Sequence, residues 1–450
     1  MRISRVDVFA KTYTVAGGRF SMSGGKSATQ QDSTIVRIET DEGIVGWGEQ
    51  CGFSPRYLAA HGEGARAALA LMAPAVIGLD PRAVQRVYDA MDGALKGHHY
   101  AKSALDMACW DLFGRASGLP LRDLLGGGYR AQLPVYIGIG IGTPQRMRES
   151  CERARAVGYR RIQLKAGSDV PTDIARIEAC LEALAGFEKV IVDANGFWSQ
   201  HDAVRVIAAL GDRDIFFEQP CATMEQCAAV RRRSRRPFIL DESIEGLDDI
   251  LRARQTDAAD AVMLKFSRFG GITPIRRARD LCFHLGFAMT IEDSAGGDIV
   301  SAAMAQIAAT IPDGFLINAS LIGRMVEERI ATDWSPLEGG GMGTLPPGPG
   351  LGITIDESRL GVGNRRQQGH RVFHSHQRLL MAMAVQEQLA RPRFRRQCDV
   401  GANKVRFDER RRAGDFLCCC AGDEVEILVG QCEQAAWLAT DDRDAGIGKW

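Results

Sequence analysis

Short β-rich runs recur through the middle of this 450-residue chain at nearly constant spacing, and this recurrence restricts the fold more than any other feature. From the second run onward, successive runs end about 23 to 28 residues apart, with amphipathic segments of helical period between them. Eight strands alternating with helices predict an α/β fold, a (β/α)8-type TIM barrel. The eight runs are Leu133–Ile139, Arg161–Lys165, Val190–Asp193, Ile215–Glu218, Phe238–Asp241, Ala261–Lys265, Phe287–Ile291 and Phe315–Asn318.

A doubly wound open sheet is the alternative fold for alternating strands and helices. Such a sheet more naturally shows a Gly-rich phosphate-binding turn after its first strand. The glycines between Gly138 and Gly142 do not open a convincing turn of this kind. The barrel is therefore the favoured prediction.

The first 130 residues have a different pattern from the barrel. Residues 3–9 and 33–39 alternate apolar and polar side chains, which is typical of half-buried strands. Helical patterns follow at 57–76, 82–95 and 99–118. We expect an N-terminal α+β domain at 1–130, the barrel at 131–325, a return to the N-terminal domain at 326–365 and an atypical tail at 366–450.

The tail matches no helical or strand period. Residues 366–412 contain 12 Lys or Arg and four Asp or Glu, whereas 413–450 contain two and eight. An interaction tail with a basic and an acidic half is one interpretation. A segment that is disordered or has no function is the favoured one, because no structural template fits.

Charge and composition exclude several classes of protein. Lys plus Arg and Asp plus Glu both number 56, so the basic excess of a nucleic-acid binder is missing. No stretch of about 18 apolar residues predicts a membrane span, and residues 1–11 lack the apolar run of a secretory signal. The 12 cysteines are scattered without a Cys-x-x-Cys pair, which predicts buried thiols in a reducing, cytoplasmic location.

Ionisable residues end most of the predicted barrel strands, where TIM barrels carry their active sites. Three successive strands end in Asp193, Glu218 and Asp241. Neighbouring strands lie about 4.8 Å apart, so these carboxylates would repel one another unless a cation joined them. A single strand-end Asp is often a loop cap, but three in succession predict a site for a hard divalent ion such as Mg²⁺.

Two lysines flank the three carboxylates. Lys165 ends the second strand and Lys265 ends the sixth. A partly desolvated lysine beside a bound cation has a lowered pKa and can act as a base. Two lysines on opposite sides of one carbon can remove a proton from one face and return it to the other. The alternative is a pair of surface lysines that neutralise the acids.

These residues together resemble the enolase superfamily, in its mandelate racemase/muconate lactonizing enzyme group, over roughly residues 1–362. The resemblance rests on Lys165, Asp193–Gly196, Phe217–Pro220, Asp241-Glu242 and Leu264-Lys265. It implies that Asp193, Glu218 and Asp241 bind Mg²⁺ and that Lys165 or Lys265 removes an α-proton, which gives an enediolate. It also implies that residues 1–130 are a capping domain whose loops, at Ser21–Lys26 and Phe53–His61, close over the barrel mouth.

Four shorter segments resemble the branch of this group that acts on proline derivatives. That branch contains hydroxyproline betaine 2-epimerases and cis-3-hydroxyproline dehydratases. The matching segments are Gly97–Lys102, Glu218–Cys221, Gly296–Ile299 and Pro349–Gly352. The first choice is a racemase or epimerase acting on a proline-type amino acid or betaine carboxylate, and the second is a cis-3-hydroxy-L-proline dehydratase. A barrel that binds without catalysis is the alternative from another class. We expect a small-molecule substrate, no nucleic acid or membrane partner, and a homo-oligomer.

Two departures from the family bear on the substrate. Many relatives have Lys-x-Lys at the end of the second strand, where this chain has Gln163 before Lys165. An aromatic ring for a quaternary ammonium is expected near the eighth strand, but the segment Asn318–Ile322 there contains none. Phe53, Tyr57 or Trp198 would have to supply it. The candidate substrate-binding residues are Tyr57, Gln163, Asn195, Trp198, Glu292 and Asp293.

Overall fold

The structure is a computed structural model that describes residues 1–338 and 341–360 and three strand segments, 371–374, 398–400 and 403–405. The N-terminal part begins with a long antiparallel hairpin whose apolar side chains are buried. A short second hairpin, formed by β2 and β3, interrupts it. The strands are β1 (Ile3–Thr14), β2 (Phe20–Ser21), β3 (Ser27–Ala28), β4 (Gln30–Thr40) and β5 (Val45–Cys51).

Helices cover one face of this sheet and enclose a core of their own. They are α1 (Gly62–Val76), α2 (Val84–Ala94) and α3 (His99–Ser117), and the short α4 (Leu121–Leu124) that follows packs into a second, larger core. Helix α3 crosses β5 so closely that a Cβ on Gly48 would lie 1.8 Å from the carbonyl oxygen of Ala104. Glycine on the strand is therefore what lets this helix dock.

Eight parallel strands form the second sheet, in sequential order from β7 to β14. A parallel bridge between Val135 and Ala319 joins the two edges of this sheet, so the strands close into the predicted barrel. After β6 (Leu133–Pro134), the strands are β7 (Ile137–Ile139), β8 (Arg161–Lys165), β9 (Lys189–Asp193), β10 (Phe216–Glu218), β11 (Phe238–Leu240), β12 (Ala261–Lys265), β13 (Ala288–Glu292) and β14 (Leu316–Ala319).

The helices between the strands start where the sequence supplies side-chain caps. Thr143, Asp169, Ser199 and Thr223 each accept a hydrogen bond from a backbone N–H in the first turn of their helix. The helices are α5 (Pro144–Ala156), α6 (Val170–Ala183), α7 (Gln200–Leu210), α8 (Met224–Arg231), α9 (Leu247–Gln255), α10 (Phe266–Phe269), α11 (Ile272–Leu285) and α12 (Asp298–Ala309).

The chain then returns toward the N-terminal part. Strands β15 (Leu337–Glu338) and β16 (Met342–Gly343) form a small sheet with β6. Strand β17 (Arg371–His374) pairs antiparallel with β1, so the N-terminal sheet has the order β17-β1-β4-β5.

The chain divides into two compact units, Met1–Met381 and Ala382–Trp450. In the second unit, β18 (Cys398–Val400) pairs antiparallel with β19 (Asn403–Val405). Apart from these two strands and β17, the predicted tail at 366–450 lies outside the described residues.

The described residues can be compared with the predictions of buried thiols and of no membrane span. Seven cysteines, at positions 51, 109, 151, 180, 221, 227 and 282, are buried free thiols. No helix within the described ranges is long and apolar enough to cross a membrane.

Candidate active site

The predicted strand-end residues meet at one end of the barrel. Lys165 is in register with Asp193, Asp193 with Glu218, and Lys265 with Glu292. All but Glu292 are buried. Strands β8 and β12 lie four positions apart in a closed eight-stranded ring. Lys165 and Lys265 therefore project from opposite sides of the barrel.

On one side, Lys165 and Gln163 serve the carboxylates of the next two strands. Lys165 Nζ lies 2.5 Å from Asp193 Oδ2, and Gln163 Nε2 donates to Glu218 Oε2 at 2.9 Å. Burial opposes the charge of Lys165, but Asp193, Glu218 and Glu292 outweigh it and raise the pKa of this lysine. The predicted glutamine thus orients a carboxylate.

Glu218 is only half satisfied. Among the described residues, its buried Oε1 has no hydrogen-bond partner. Burial, and then the negative charges of Asp193 and Asp241, raise the pKa of Glu218 well above its usual value. This carboxylate would gain the most from a cation placed among the three acids.

On the opposite side, Lys265 lies at the centre of a denser set of contacts. Its Nζ donates to Asp241 Oδ2 and to the Tyr57 hydroxyl, both at 2.8 Å, and lies 3.4 Å from Glu292 Oε2. Burial opposes the lysine charge, but Asp241 and Glu292 raise the pKa of Lys265 well above its usual value. The sequence predicts a lowered lysine pKa only beside a bound cation. The positive charge of such an ion would counter the carboxylates that raise the pKa of Lys265 here.

Asn195 joins the barrel to the short hairpin formed by β2 and β3. Its Nδ2 donates to Asp193 Oδ2 at 2.9 Å and to Glu242 Oε1 at 3.2 Å, and its Oδ1 accepts from Ser23 Oγ at 3.2 Å. The backbone of Asn195 is left-handed, with φ of 46°, a conformation that asparagine tolerates better than most residues. Ser23 lies in the predicted lid segment Ser21–Lys26, so this segment contacts the site.

Two acidic side chains at the end of β13 each have one oxygen that accepts no hydrogen bond from the described residues. Glu292 Oε1 accepts from the Tyr136 hydroxyl at 2.7 Å, and Asp293 Oδ1 accepts from Ser267 N at 3.2 Å. Within the part of the chain that the structure describes, Glu292 Oε2 and Asp293 Oδ2 have no hydrogen-bond partner. Burial raises the pKa of Asp293 to about 6.

Trp198, which the sequence predicts as a substrate-binding residue, packs in the core of the protein. It is 3% exposed, it belongs to the main core, and its indole N–H donates to Asp173 Oδ2 at 2.8 Å. Phe53 and Tyr57, in the lid segment Phe53–His61, contact each other, and Phe20, which directly precedes the segment Ser21–Lys26, joins them. Phe53 packs edge-on against both Phe20 and Tyr57, with ring centroids 6.3 and 6.2 Å apart.

The sequence prediction missed Arg268, on the short helix that follows Lys265. Its guanidinium donates to Asp241 and to the Tyr57 hydroxyl. Two carboxylates of the N-terminal part, which bind helix starts in the barrel, were also missed from the sequence. Glu49 accepts from Gly297 N at 2.9 Å, at the start of α12, and Asp106 accepts from Thr273 N at 2.9 Å, at the start of α11. Only the position of Arg268, one turn after a predicted catalytic lysine, gave a local signal.

Asp193, Glu218 and Asp241 are the residues that could hold a metal ion. They supply carboxylate oxygens, the ligands that Mg²⁺ prefers, and Glu218 Oε1 is unpartnered within the described chain. In the same described ranges, no three His, Cys, Asp or Glu side chains are gathered closely enough to form a ready-made ion site. Asp193 and Asp241 are bound by Lys165 and Lys265. The donor set fits a hard cation, provided that these ion pairs rearrange.

Sequence comparison finds two family matches. Residues 6–126 match the mandelate racemase / muconate lactonizing enzyme N-terminal domain, and residues 146–359 match the enolase C-terminal domain-like family. A cis-3-hydroxy-L-proline dehydratase from Roseibium aggregatum is 41% identical over 354 residues, which is 79% of this chain and 96% of the relative. A hydrophobic dipeptide epimerase from Enterococcus faecalis is 32% identical, over 65% of this chain and 82% of the relative.

Solved structures give the same result. A member of the enolase superfamily from Roseovarius nubinhibens, complexed with magnesium, superimposes with a TM-score of 0.77 at 38% identity. The match covers 83% of this chain and all of that one. N-succinyl Arg/Lys racemase from Bacillus cereus superimposes with the same TM-score at 25% identity, with the same coverage.

Proposed function

The chain belongs to the mandelate racemase/muconate lactonizing enzyme family of the enolase superfamily, and from this premise we propose that it dehydrates a cis-3-hydroxyproline. The reaction begins with Mg²⁺-dependent removal of the α-proton. The observation that carries the proposal is the placement of Lys165 and Lys265 on opposite sides of the barrel, with three carboxylates on the strands between them.

The carboxylates of Asp193, Glu218 and Asp241 would hold Mg²⁺, and the ion would bind the substrate carboxylate. When bound, Mg²⁺ supplies positive charge that stabilises the carboxylate as the α-proton leaves. The unpartnered oxygen of Glu218 and the magnesium complex of the Roseovarius relative support this assignment. The ion would also offset the negative charge that now raises the pKa of both lysines, so that one of them can act as a base.

The stereochemistry of the substrate fits two opposed lysines. In cis-3-hydroxyproline, the hydroxyl and the carboxylate lie on the same face of the ring, so the α-proton lies on the other face. One lysine removes this proton while the lysine across the barrel donates a proton to the departing hydroxyl. General acid and base groups of this kind each contribute about 10²- to 10⁴-fold in rate.

Racemisation or 2-epimerisation is the second candidate, and the same pair of lysines favours it. Here the lysine opposite the base returns a proton to the α-carbon and the hydroxyl stays. The similarity to epimerases and racemases supports this outcome, but the higher identity and coverage of the dehydratase favour dehydration. A barrel that only binds is disfavoured because the chain retains all five acidic and basic groups.

The remaining site residues would bind the ring and its nitrogen. Asp293 Oδ2, which lacks a hydrogen-bond partner among the described residues, and Glu292 Oε2, whose contact there is the ion pair with Lys265, suit the N–H groups of a secondary ammonium. The Tyr57 ring already carries a cation, with Lys265 Nζ 5.3 Å from its centroid. We therefore favour a free amine over a betaine. Gln163 and Asn195 orient the carboxylates, and Trp198 has no part in binding.

The test is proton NMR of the enzyme in D₂O with Mg²⁺ and a panel of proline, 3- and 4-hydroxyprolines and their betaines. Loss of the hydroxyl from cis-3-hydroxy-L-proline alone is the expected result. Deuterium at the α-carbon with an intact hydroxyl in all products would support epimerisation instead. Absence of both changes for every compound would contradict the proposed substrate class. A Lys165→Ala/Lys265→Ala double variant is the matched control.

The domain division and the setting of the enzyme remain part of the proposal. We infer a capping domain at 1–130, a catalytic barrel at 131–325 and a return to the capping domain at 326–365. The Ser23 and Tyr57 contacts support a capping role for the first part. A homo-oligomer in the cytoplasm is the expected setting.

A further inference from the structure

Arg268 holds Asp241 by two different oxygens. Its Nη1 lies 2.6 Å from the backbone carbonyl oxygen of Asp241 and 2.6 Å from Oδ1 of the same residue. The side chain of Arg268 is 3% exposed, and that of Asp241 is 1% exposed. A buried guanidinium that grips both the main chain and the carboxylate fixes the rotation of that carboxylate.

The remaining oxygen of Asp241 is thereby directed to the reaction side. Oδ2 accepts from Lys265 Nζ at 2.8 Å and from the Tyr57 hydroxyl at 3.2 Å. Within the described residues, the Arg268 guanidinium bonds Oδ1 and the carbonyl oxygen of Asp241 but not Oδ2, which is left to the lysine and to a ligand. Carboxylates that bind metals are usually oriented by such outer partners.

Arg268 also contacts the lid segment Phe53–His61. Its Nη2 donates to the Tyr57 hydroxyl at 3.2 Å, and its guanidinium lies 6.0 Å from the centre of the Tyr57 ring. Tyr57 lies in the loop between β5 and α1, on the N-terminal part of the chain. One side chain therefore connects this loop to the end of β11.

The turn that carries Arg268 is itself held in place. The carbonyl oxygen of Arg268 contacts His99 Nδ1 at 3.0 Å, and that of Phe269 accepts from the Tyr88 hydroxyl at 3.4 Å. Gly270 follows with φ of 97°, and a Cβ there would lie 2.2 Å from the Tyr88 oxygen. Helices α2 and α3 thus fix the backbone from which the guanidinium extends.

We propose that Arg268 is a positioning residue with two tasks: it orients Asp241 toward the ion and Lys265, and it holds the Tyr57 loop over the barrel mouth. The first task rests on the proposed function, because it needs a metal ion at Asp241. The second rests on the contacts alone. If Arg268 only neutralised Asp241, its replacement by methionine would remove a charge that repels the ion, so ion affinity would stay equal or rise and loop exchange would not change.

The experiment compares Arg268→Met and Arg268→Lys with Arg279→Met. Arg279 is a matched control because it is also a buried arginine, 8% exposed, and bonds Thr310 and Leu125 outside the site. Mn²⁺ affinity is measured from the electron paramagnetic resonance of free Mn²⁺, and hydrogen exchange is followed at residues 53–61. Melting temperatures of all variants show how much stability each loses.

Arg268→Met is expected to weaken Mn²⁺ binding by about 10- to 100-fold and to speed exchange at 53–61. Arg268→Lys, which keeps the charge but not the fork of donors, should recover part of both. Arg279→Met should bind Mn²⁺ and exchange like the wild type. Equal affinity and equal exchange in Arg268→Met and Arg279→Met would overturn the proposal.

Two results separate this inference from the proposed function. A wild-type protein that binds no Mn²⁺ contradicts the metal assignment and the first task, while loop exchange still decides the second. Tyr57→Phe removes the hydroxyl and keeps the ring, so it should speed loop exchange with less effect on Mn²⁺ affinity. If Arg268→Met does not fold, Arg268→Lys and Tyr57→Phe carry both measurements.

Discussion

Lys265 Nζ donates a hydrogen bond to Asp241 Oδ2 at 2.8 Å, so a proposed acid–base group directly contacts a proposed metal ligand. Arg268 on the other oxygen and Lys265 together outweigh the effect of burial and hold the pKa of Asp241 below its usual value. These contacts favour the ionised carboxylate, the form that a cation would bind. The same relationship exists on the far side, where Lys165 contacts Asp193.

Metal binding should stabilise the protein through Glu218. Because an ion that binds only the folded state adds stability by mass action, Mg²⁺ at about 100 times its dissociation constant contributes about 2.7 kcal/mol. Glu218→Gln removes a ligand charge and should lose most of this gain. The measurement is the melting temperature in Mg²⁺ and in EDTA. A Glu218→Gln variant that responds to Mg²⁺ like the wild type would rule out Glu218 as a ligand.

The contact between the lid and the site should affect substrate binding. Ser23→Ala removes the hydrogen bond to Asn195 Oδ1, and a bond of this kind contributes about 0.5 to 1.5 kcal/mol. We expect KM to rise about two- to tenfold with little change in kcat. Ser27→Ala, at an exposed position of the same hairpin, is the control. An unchanged KM for Ser23→Ala would show that this contact does not help to close the lid.

Stability should depend on pH through Asp106. Burial raises the pKa of this carboxyl to about 7 in the folded protein, against hydrogen bonds from Thr273 that lower it. The unfolded chain releases the proton near its ordinary value, so the folded state holds more protons in between and stability falls as pH rises from about 4 to about 7.

The matching variant is Asp106→Asn, which keeps a donor and an acceptor for Thr273 but does not titrate. The wild type should lose stability relative to this variant over that pH window, by a few kcal/mol at most. Urea unfolding at several pH values measures the difference. A constant difference between pH 4 and pH 7 would contradict the raised pKa.

The sequence was sufficient to predict the barrel and its strand-end residues, because both follow from local periodicity. Apolar runs of five or so residues end at an ionisable side chain, and parallel strands bring such ends together. The structure confirms the eight-stranded sheet and places Lys165, Asp193, Glu218 and Lys265 at matching strand ends. Gln163 and Asn195, which the sequence predicts as substrate-binding residues, contact the carboxylates of Glu218 and Asp193.

Contacts between distant segments could not be predicted in this way. The helical pattern at 57–76 was wrong at its start, since α1 begins at Gly62, where His61 caps the helix. Residues 57–61 belong instead to the loop between β5 and α1, which brings Tyr57 to Lys265. Glu49 and Asp106 reach helix starts more than 160 residues away. No local pattern specifies such pairs, because the packing of the two parts decides them.

The roles of the two lysines are tested most directly by replacing each lysine separately. Lys165→Ala and Lys265→Ala are incubated separately with Mg²⁺ and cis-3-hydroxy-L-proline in D₂O, and the α-proton and the hydroxyl are followed by proton NMR. We expect one variant to lose α-proton exchange and dehydration together. The other should still exchange the α-proton for deuterium but release no hydroxyl, because it retains the base and lacks the acid. Wild-type rates of both processes in both variants would contradict the account.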